Sequence, residues 1–194
     1  LQGLSGNQVL LLVDGVRLND STTRNGVNQM LNGIEPAAVE RVEVIRGPRS
    51  VLYGSDALGG VVLVWTKART PRRANEPGAL GGALEGHADS ASEGWTGALE
   101  LSGATPHAGV LAVLGAHDWG SLQTAEGEVD PTGYDGQSLF GSVTTDLGPQ
   151  RSLRISTMVT RDHDVPRTDR LVPGFGQTRP SDEEFTYTLQ DRRR

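Results

Sequence analysis

Hydrophobic and polar residues alternate along this chain in two different ways, and the change falls near residue 75. In the first part, the apolar run Val9–Val13 is followed by Asp14 and Gly15 and then by a short return strand at Val16–Leu18. An Asp-Gly pair between two apolar runs is a strong signal for a tight β-hairpin. Farther on, Arg41–Arg46 alternates between valine or isoleucine and charged residues, which predicts another strand with two unlike faces.

The segment Val44–Lys67 combines a strand end, a Gly-Pro break, one helical turn, a glycine-rich corner and a second strand. Pro48 has a preset φ and no backbone donor, which suits the first turn of a short helix, and Ser50–Tyr53 supplies that turn. Gly54 can end the turn with a positive φ. A short helix is also expected near Pro36. The predicted turn positions of this part are Asp14, Gly15, Gly47, Pro48, Gly54, Gly59 and Gly60.

Beyond residue 78 the pattern changes to alternating segments of about ten residues, separated by turns. The candidate strands are Leu80–Ala88, Gly94–Gly103, Gly109–Trp119, Ser138–Leu147 and Ser152–Arg161. This period fits a transmembrane β-barrel with its apolar set towards lipid, and it fits equally a soluble antiparallel sheet with one wet face. The polar, turn-rich stretches Glu126–Gln137 and Asp162–Glu184 are predicted to be long loops.

Charge is divided as unevenly as the hydrophobic pattern. Residues 1–74 carry nine Arg and Lys against six Asp and Glu, whereas residues 75–194 carry nine against eighteen. The shift falls at Thr70–Gly78, which contains Pro and Arg and is predicted to be a linker. The acidic second part disfavours nucleic acid as a partner, because nucleic-acid binding needs a basic surface. It leaves two interpretations open, soluble loops or attraction of a cation.

Several classes of function lack their sequence signals. There are no cysteines, so neither disulfides nor thiolate metal sites are available, and no apolar run is long enough for a membrane helix. The Gly54–Gly59 stretch lacks the Lys-Ser/Thr of a phosphate loop, and no histidine lies near Ser55 and Asp56 in sequence. The triplet Asp162-His163-Asp164 offers metal ligands, but a solvated loop is the favoured interpretation.

Two longer stretches carry a resemblance to a known family. Ile45–Val62 reads IRGPRSVLYGSDALGGVV, and Leu1–Asp20 reads LQGLSGNQVLLLVDGVRLND. Both resemble the plug domain of TonB-dependent outer-membrane receptors of the vitamin-B12 and ferric-siderophore type, although Gln2 stands where that family usually has Arg. The resemblance implies an α+β plug domain followed by antiparallel strands of an incomplete transmembrane β-barrel. Its expected divisions are a plug at 1–70 without its N-terminal part, a linker at 71–78, and the first barrel strands and loops at 79–194.

The same resemblance implies a function. The intact protein is expected to lie in the outer membrane of a Gram-negative bacterium, in contact with outer-membrane lipid, and to take up a scarce ligand such as a ferric siderophore or cobalamin. Energy would come from the TonB complex, through a box N-terminal to this chain, which is expected to be a fragment. No enzymatic activity, cofactor, metal site or nucleic-acid partner is expected. The alternative is a plug-containing signalling or binding module without transport.

Site residues follow from the same comparison. In the family, plug loops at the extracellular apex touch the ligand, which implies substrate contacts at Asp20, Arg24, Asn25 and Asn28. Charged residues around the Gly-Pro corner are implied to join plug and barrel, namely Glu43, Arg46, Arg49 and Asp56. Trp95 and Trp119 lie at predicted strand ends, as an interfacial aromatic girdle requires, although the aromatic content of 5% is low for a membrane barrel.

Overall fold

A computed structural model describes residues 8–18, 31–54, 56–73, 75–125, 127–148 and 150–166, together with the backbone of 186–193. The predicted ligand residues Asp20, Arg24, Asn25 and Asn28 lie outside the described residues. The chain divides into two compact units, Leu1–Ala68 and Arg69–Arg194. No helix in the described ranges has both the length and the apolarity needed to cross a membrane.

The first unit is built on a four-stranded mixed sheet. Its strands are β1 (Val9–Val13), β2 (Val16–Arg17), β3 (Val39–Arg46) and β4 (Gly60–Thr66). The order across the sheet is β2-β1-β4-β3, and β1 pairs with β4 in parallel while the other neighbours are antiparallel. A 3-10 turn at Pro36–Ala38 and helix α1 (Ser50–Tyr53) connect the strands, as the prolines and the glycine corner predict.

Both faces of the central strands β1 and β4 are buried. Leu10 and Val61 belong to a core cluster on one face, where Trp65 and Ile45 pack against them. Residues of the opposite parity, such as Leu11, are equally inaccessible to solvent. A strand covered on both faces needs continuous apolar residues, which explains why β1 reads as an unbroken run without alternation.

The second unit is an antiparallel sheet of six strands in the order β12-β11-β10-β7-β6-β5. Its strands are β5 (Ala79–Asp89), β6 (Gly94–Ala104), β7 (Ala108–Trp119), β10 (Tyr134–Gly148), β11 (Arg151–Pro166) and β12 (Thr186–Arg193). A separate two-stranded hairpin, β8 (Leu122–Thr124) and β9 (Gly127–Val129), lies between β7 and β10. All five segments that alternate in the sequence are strands.

Two predicted loops begin or end in the wrong place. Residues 134–137 belong to β10, and Asp162–Pro166 continue β11 instead of opening a loop. The reason is the cross-strand register, which runs without interruption from Asp146 to Asp135 on β10 and pairs Asp135 with His163. Ladder hydrogen bonds therefore extend the strands through residues whose polarity alone suggested a loop.

Candidate functional site

The glycine-cornered segment between β3 and β4 closes on itself through backbone contacts. Gly47 and Gly54 adopt φ values of 86° and 95°, which an L side chain rarely allows. The backbone N–H of Arg49 donates to the carbonyl of Ala57 at 2.8 Å, and Ala57 is fully buried. The Gly59 N–H donates to the carbonyl of Gln8 at 2.7 Å, which ties the corner to the start of β1.

The charged residues around this corner have different surroundings. Arg46 and Arg49 are exposed to solvent. Glu43 accepts a hydrogen bond from the Arg41 guanidinium at 2.8 Å. Asp56 forms an ion pair with Arg17 of β2, a partner that lies 39 residues away and that no local pattern indicates. Three of the four predicted contact residues thus lie at the surface of the first unit, and Asp56 is half-buried in an ion pair.

Arg41 also lies over the ring of Trp65, with its guanidinium carbon 5.0 Å from the ring centroid. Register explains this contact, since Arg41 and Trp65 are directly opposite each other on β3 and β4. A cation over an indole face stabilises a half-exposed edge strand by about 0.5–1 kcal/mol. The contact organises the first unit and leaves the guanidiniums of Arg46 and Arg49 in solvent.

Helix α1 carries two exposed apolar residues that the sequence analysis did not single out. Val51 is 97% exposed and Leu52 is 76% exposed. They flank the same corner as the exposed arginines, so this side of the first unit presents both charge and apolar surface. The helix is only four residues long, which allows it to project both side chains outwards.

The six-stranded sheet exposes an apolar face, which we call the leucine face. Leu84, Leu99, Leu114 and Leu139 are aligned in register across four neighbouring strands. All four are exposed, from 38% at Leu99 to 83% at Leu84. A second aligned row contributes Leu80, Val110, Val143 and Ile155, which are also exposed.

The opposite side, which we call the polar face, has the reverse character. Ser138, Ser142, Thr144, Thr160 and Asp162 lie on it and are all buried, together with the apolar Val113 and Phe140. In a water-soluble sheet the apolar face is covered and the polar face is wet. Here the apolar residues are exposed and the polar residues are buried. This is the arrangement expected of a strand whose outer surface meets lipid.

At one end of the sheet, two histidines approach carboxylates across neighbouring strands. On the polar face, Nε2 of His117 lies 3.6 Å from Oδ1 of Asp162, with Gly136 of β10 between the two residues in register. A methyl group on Gly136 would lie 2.6 Å from both side chains, so the bare Cα makes this approach possible. On the leucine face, Nδ1 of His163 lies 3.4 Å from Oδ2 of Asp135.

The β5–β6 turn at the same end is held by the Asp89 carboxylate. It accepts hydrogen bonds from the Ala91 N–H at 3.1 Å and from the Ser92 hydroxyl at 2.8 Å. The β7–β10 connection packs against this turn, because the Gln123 N–H donates to the carbonyl of Ala91 at 3.0 Å. Gly94 makes room for the Trp119 ring in the same contact. The connection therefore contains a paired hairpin that contacts the β5–β6 turn.

No group of three or more His, Asp or Glu side chains in the described ranges has the geometry to hold a metal ion. The triplet Asp162-His163-Asp164 lies in β11, where alternation sends Asp162 and His163 to opposite faces. Asp162 and His163 therefore cannot ligate the same ion.

Comparison with known proteins gives a family match within the first unit. A family model, TonB-dependent Receptor Plug Domain, matches residues 1–61. This part of the chain is therefore similar to the plug domain of TonB-dependent receptors. The match includes the hairpin turn, the corner and α1, so the prediction from Ile45–Val62 is confirmed.

Similarity extends beyond the plug. The vitamin B12 transporter BtuB of Vibrio vulnificus strain YJ016 is 34% identical over 157 residues, which are 80% of this chain and 24% of that transporter. The chain therefore spans about a quarter of the length of this curated relative.

Solved structures give the same fold. The FrpB iron transporter of Neisseria meningitidis superposes with a TM-score of 0.64 at 18% identity, over 84% of this chain and 26% of that chain. The pyoverdine outer membrane receptor FpvA of Pseudomonas aeruginosa superposes with a TM-score of 0.60 at 22% identity, over 82% and 21%. At these identities the likeness describes the fold alone. The relatives are transporters and receptors, and none of the three is an enzyme.

Proposed function

We propose that this chain is part of a TonB-dependent outer-membrane receptor that takes up a scarce metal-containing ligand, a ferric siderophore or a cobalamin. The plug would occupy the barrel at rest, and the TonB complex would supply the energy that rearranges it. The observation that carries the proposal is the pairing of a plug domain with a sheet whose exposed face is apolar.

The leucine face supports the membrane part of the proposal. Its aligned rows present about four exposed apolar side chains each, and burying one such side chain in lipid is worth about 1.5–3 kcal/mol relative to water. In water these rows would be an aggregation surface. In a bilayer they are the outer wall of a barrel, and the residues at 79–194 supply its first strands and loops. Outer-membrane lipid is then the principal contact of this part.

We assign the boundaries of the plug and the roles of its residues from the sequence. We assign residues 1–70 to the plug and 71–78 to the linker. Exposed charges at Glu43, Arg46 and Arg49 are suited to contacts with a barrel wall, where reduced screening strengthens charged hydrogen bonds. We assign the same role to Asp56, whose carboxylate forms an ion pair with Arg17. Ligand contacts are assigned to Asp20, Arg24, Asn25 and Asn28, on the long polar stretch after β2.

The experiment is uptake in cells that lack their own receptor. The full-length gene product should fractionate with outer membranes, migrate differently before and after heating, and restore uptake of radiolabelled cobalamin or ferric siderophore only when TonB is present. Recovery of the protein in the soluble periplasmic fraction would refute the membrane assignment. Outer-membrane location together with ligand binding but without uptake would favour a signalling or binding module instead.

A further inference from the structure

The two ends of the six-stranded sheet carry opposite charge. One end, which we call the acidic end, comprises the described residues of 87–96, 117–136 and 162–166, which contain eight Asp or Glu and no Lys or Arg. The other, the basic end, comprises residues 69–79, 104–109 and 144–154, with five Arg against one Asp and one Glu. Formal charges of the described residues are therefore −8 (0 − 8) and +3 (5 − 2).

Strand register places these segments at opposite ends. His87, Thr96, His117, Gly136 and Asp162 form one row across β5, β6, β7, β10 and β11. Ala79, Ala104, Gly109, Thr144 and Arg154 form another row, eight residues away along every strand. At about 3.3 Å per residue the two rows are about 26 Å apart. This distance exceeds the Debye length of about 10 Å at 0.1 M salt, so the basic end does not neutralise the acidic end.

Among the described residues, few positive groups compensate the carboxylates at the acidic end. The basic side chains there are three histidines, and two of them face carboxylates, His117 towards Asp162 and His163 towards Asp135. Arg161 on β11 lies one residue before this end, and Arg192 on β12 pairs with Thr160, two residues before it. Several carboxylates are exposed to solvent, including Glu93, Asp118 and Glu128. Their field therefore extends into the solution in front of the sheet.

We propose that the acidic end is the receiving side of the receptor and that it selects a cationic metal complex over an anionic one. The inference rests on the proposed function, because it names the charge class of the ligand. A field of one sign at the mouth of a low-dielectric wall raises the association rate of an oppositely charged ligand about 10- to 1,000-fold. The effect comes from the summed charge of the whole end. A trianionic ferric tris-catecholate would be repelled, while a monocationic ferric hydroxamate or aquocobalamin would be drawn in.

The first experiment measures the field without a ligand. Trp95 and Trp119 lie in the acidic end, so Trp65 is replaced by Phe and the full chain is quenched with caesium, iodide and acrylamide. Relative to free N-acetyltryptophanamide, caesium should quench at least about twofold better than iodide at low salt, and the ratio should approach one in molar salt. The double variant Asp118→Asn, Glu128→Gln should reduce the ratio. The matched double variant Glu76→Gln, Asp146→Asn at the basic end should leave it unchanged.

The second experiment measures selectivity in cells that produce the full-length protein. Uptake of a monocationic ferric hydroxamate is compared with that of a trianionic ferric tris-catecholate, and aquocobalamin is compared with neutral cyanocobalamin. Preference for the cationic member, lost in the Asp118→Asn, Glu128→Gln variant, supports the proposal. Equal or better uptake of the anionic complex, or iodide quenching equal to that of caesium, overturns it. If no complex of any charge is taken up, the proposed function fails, and the quenching ratio alone decides the charge inference.

Discussion

The carboxylate of Asp14 accepts two hydrogen bonds from Thr66, one from the backbone N–H at 2.9 Å and one from the hydroxyl at 2.6 Å. Asp14 belongs to the turn between β1 and β2, whereas Thr66 is the last residue of β4 and is buried. The turn therefore also holds the end of the last strand of the first unit. The Asp14 N–H adds a bond to the carbonyl of Val64 at 2.9 Å.

Removing the Asp14 carboxylate should release this strand end. We expect Asp14→Ala to cost about 3 kcal/mol, because two charge-assisted hydrogen bonds are lost and alanine is strained at φ 49°. Asp14→Asn keeps one acceptor and tolerates this backbone region, so it should cost about 1 kcal/mol. Amide hydrogen exchange at Thr66 in the full chain measures both effects. Exchange in Asp14→Ala at the wild-type rate would show that the contact does not hold the strand.

Gly136 is the position where a single methyl group should separate a histidine from its carboxylate. We expect Gly136→Ala to destabilise the ends of β7, β10 and β11 by about 2 kcal/mol, because the added Cβ would clash with His117 and Asp162. Gly141→Ala on the same strand is the control, since its Cβ would meet only Thr157 at an ordinary 3.7 Å. Thermal unfolding midpoints of the two variants in the same detergent give the comparison. Equal midpoints would contradict the clash.

The segment of the second unit that precedes β5 should respond to a change at Gly109. A Cβ at this position would collide with the backbone carbonyl of Arg69, which cannot rotate away as a side chain can. We therefore expect Gly109→Ala to displace this segment and to weaken the hydrogen bond from the Arg72 N–H to the carbonyl of Thr105. Trypsin cleavage at Arg69, Arg72 and Arg73 should accelerate by about tenfold, the result of about 1.4 kcal/mol of local destabilisation.

Gly86→Ala provides the comparison for that experiment, because no atom lies within 4 Å of a Cβ added there. Its cleavage rate should equal that of the unaltered chain. Acceleration of the same size in both variants would mean that neither β5 nor β7 tolerates an added methyl group. The contact with Arg69 would then not be the cause.

Two neighbouring residues of β11 provide a test of whether the leucine face meets lipid. Ile155 lies on the leucine face and Ser156 on the polar face, and both are exposed. Arginine facing lipid costs about 2–4 kcal/mol at the bilayer midplane, whereas in water either exposed position tolerates it. We expect Ile155→Arg to lower the yield of folding into lipid vesicles, and Ser156→Arg to leave it near the unaltered value. The heat-modifiable fraction on gels measures the yield. Equal yields of the two variants would show that Ile155 does not face lipid.

Local patterns in the sequence were sufficient for much of the fold. The Asp14-Gly15 turn, the single helical turn at Ser50–Tyr53 and the five alternating strands all depend on backbone preferences within a few residues, and the structure contains each of them. Strand ends were less well predicted. Composition suggested that residues 134–137 and 162–166 were loops, yet pairing with neighbouring strands extends β10 and β11 through them.

Local sequence patterns did not predict contacts between residues that are far apart in the chain. Asp56 was singled out as a charge beside the corner, but its partner Arg17 comes from β2. The exposed Val51 and Leu52 belong to a helix whose sequence alone does not say which side faces solvent.

By itself, the sequence determined the plug motif, the ten-residue alternation and the division of charge, because each is a property of consecutive residues. Only the tertiary structure decided that His117, Gly136 and Asp162 meet, since register between three strands brings together residues that are 19 and 26 positions apart (136 − 117 and 162 − 136). It also decided that the apolar set is the exposed one. A period of two assigns residues to faces, but what covers each face depends on the packing of the whole chain.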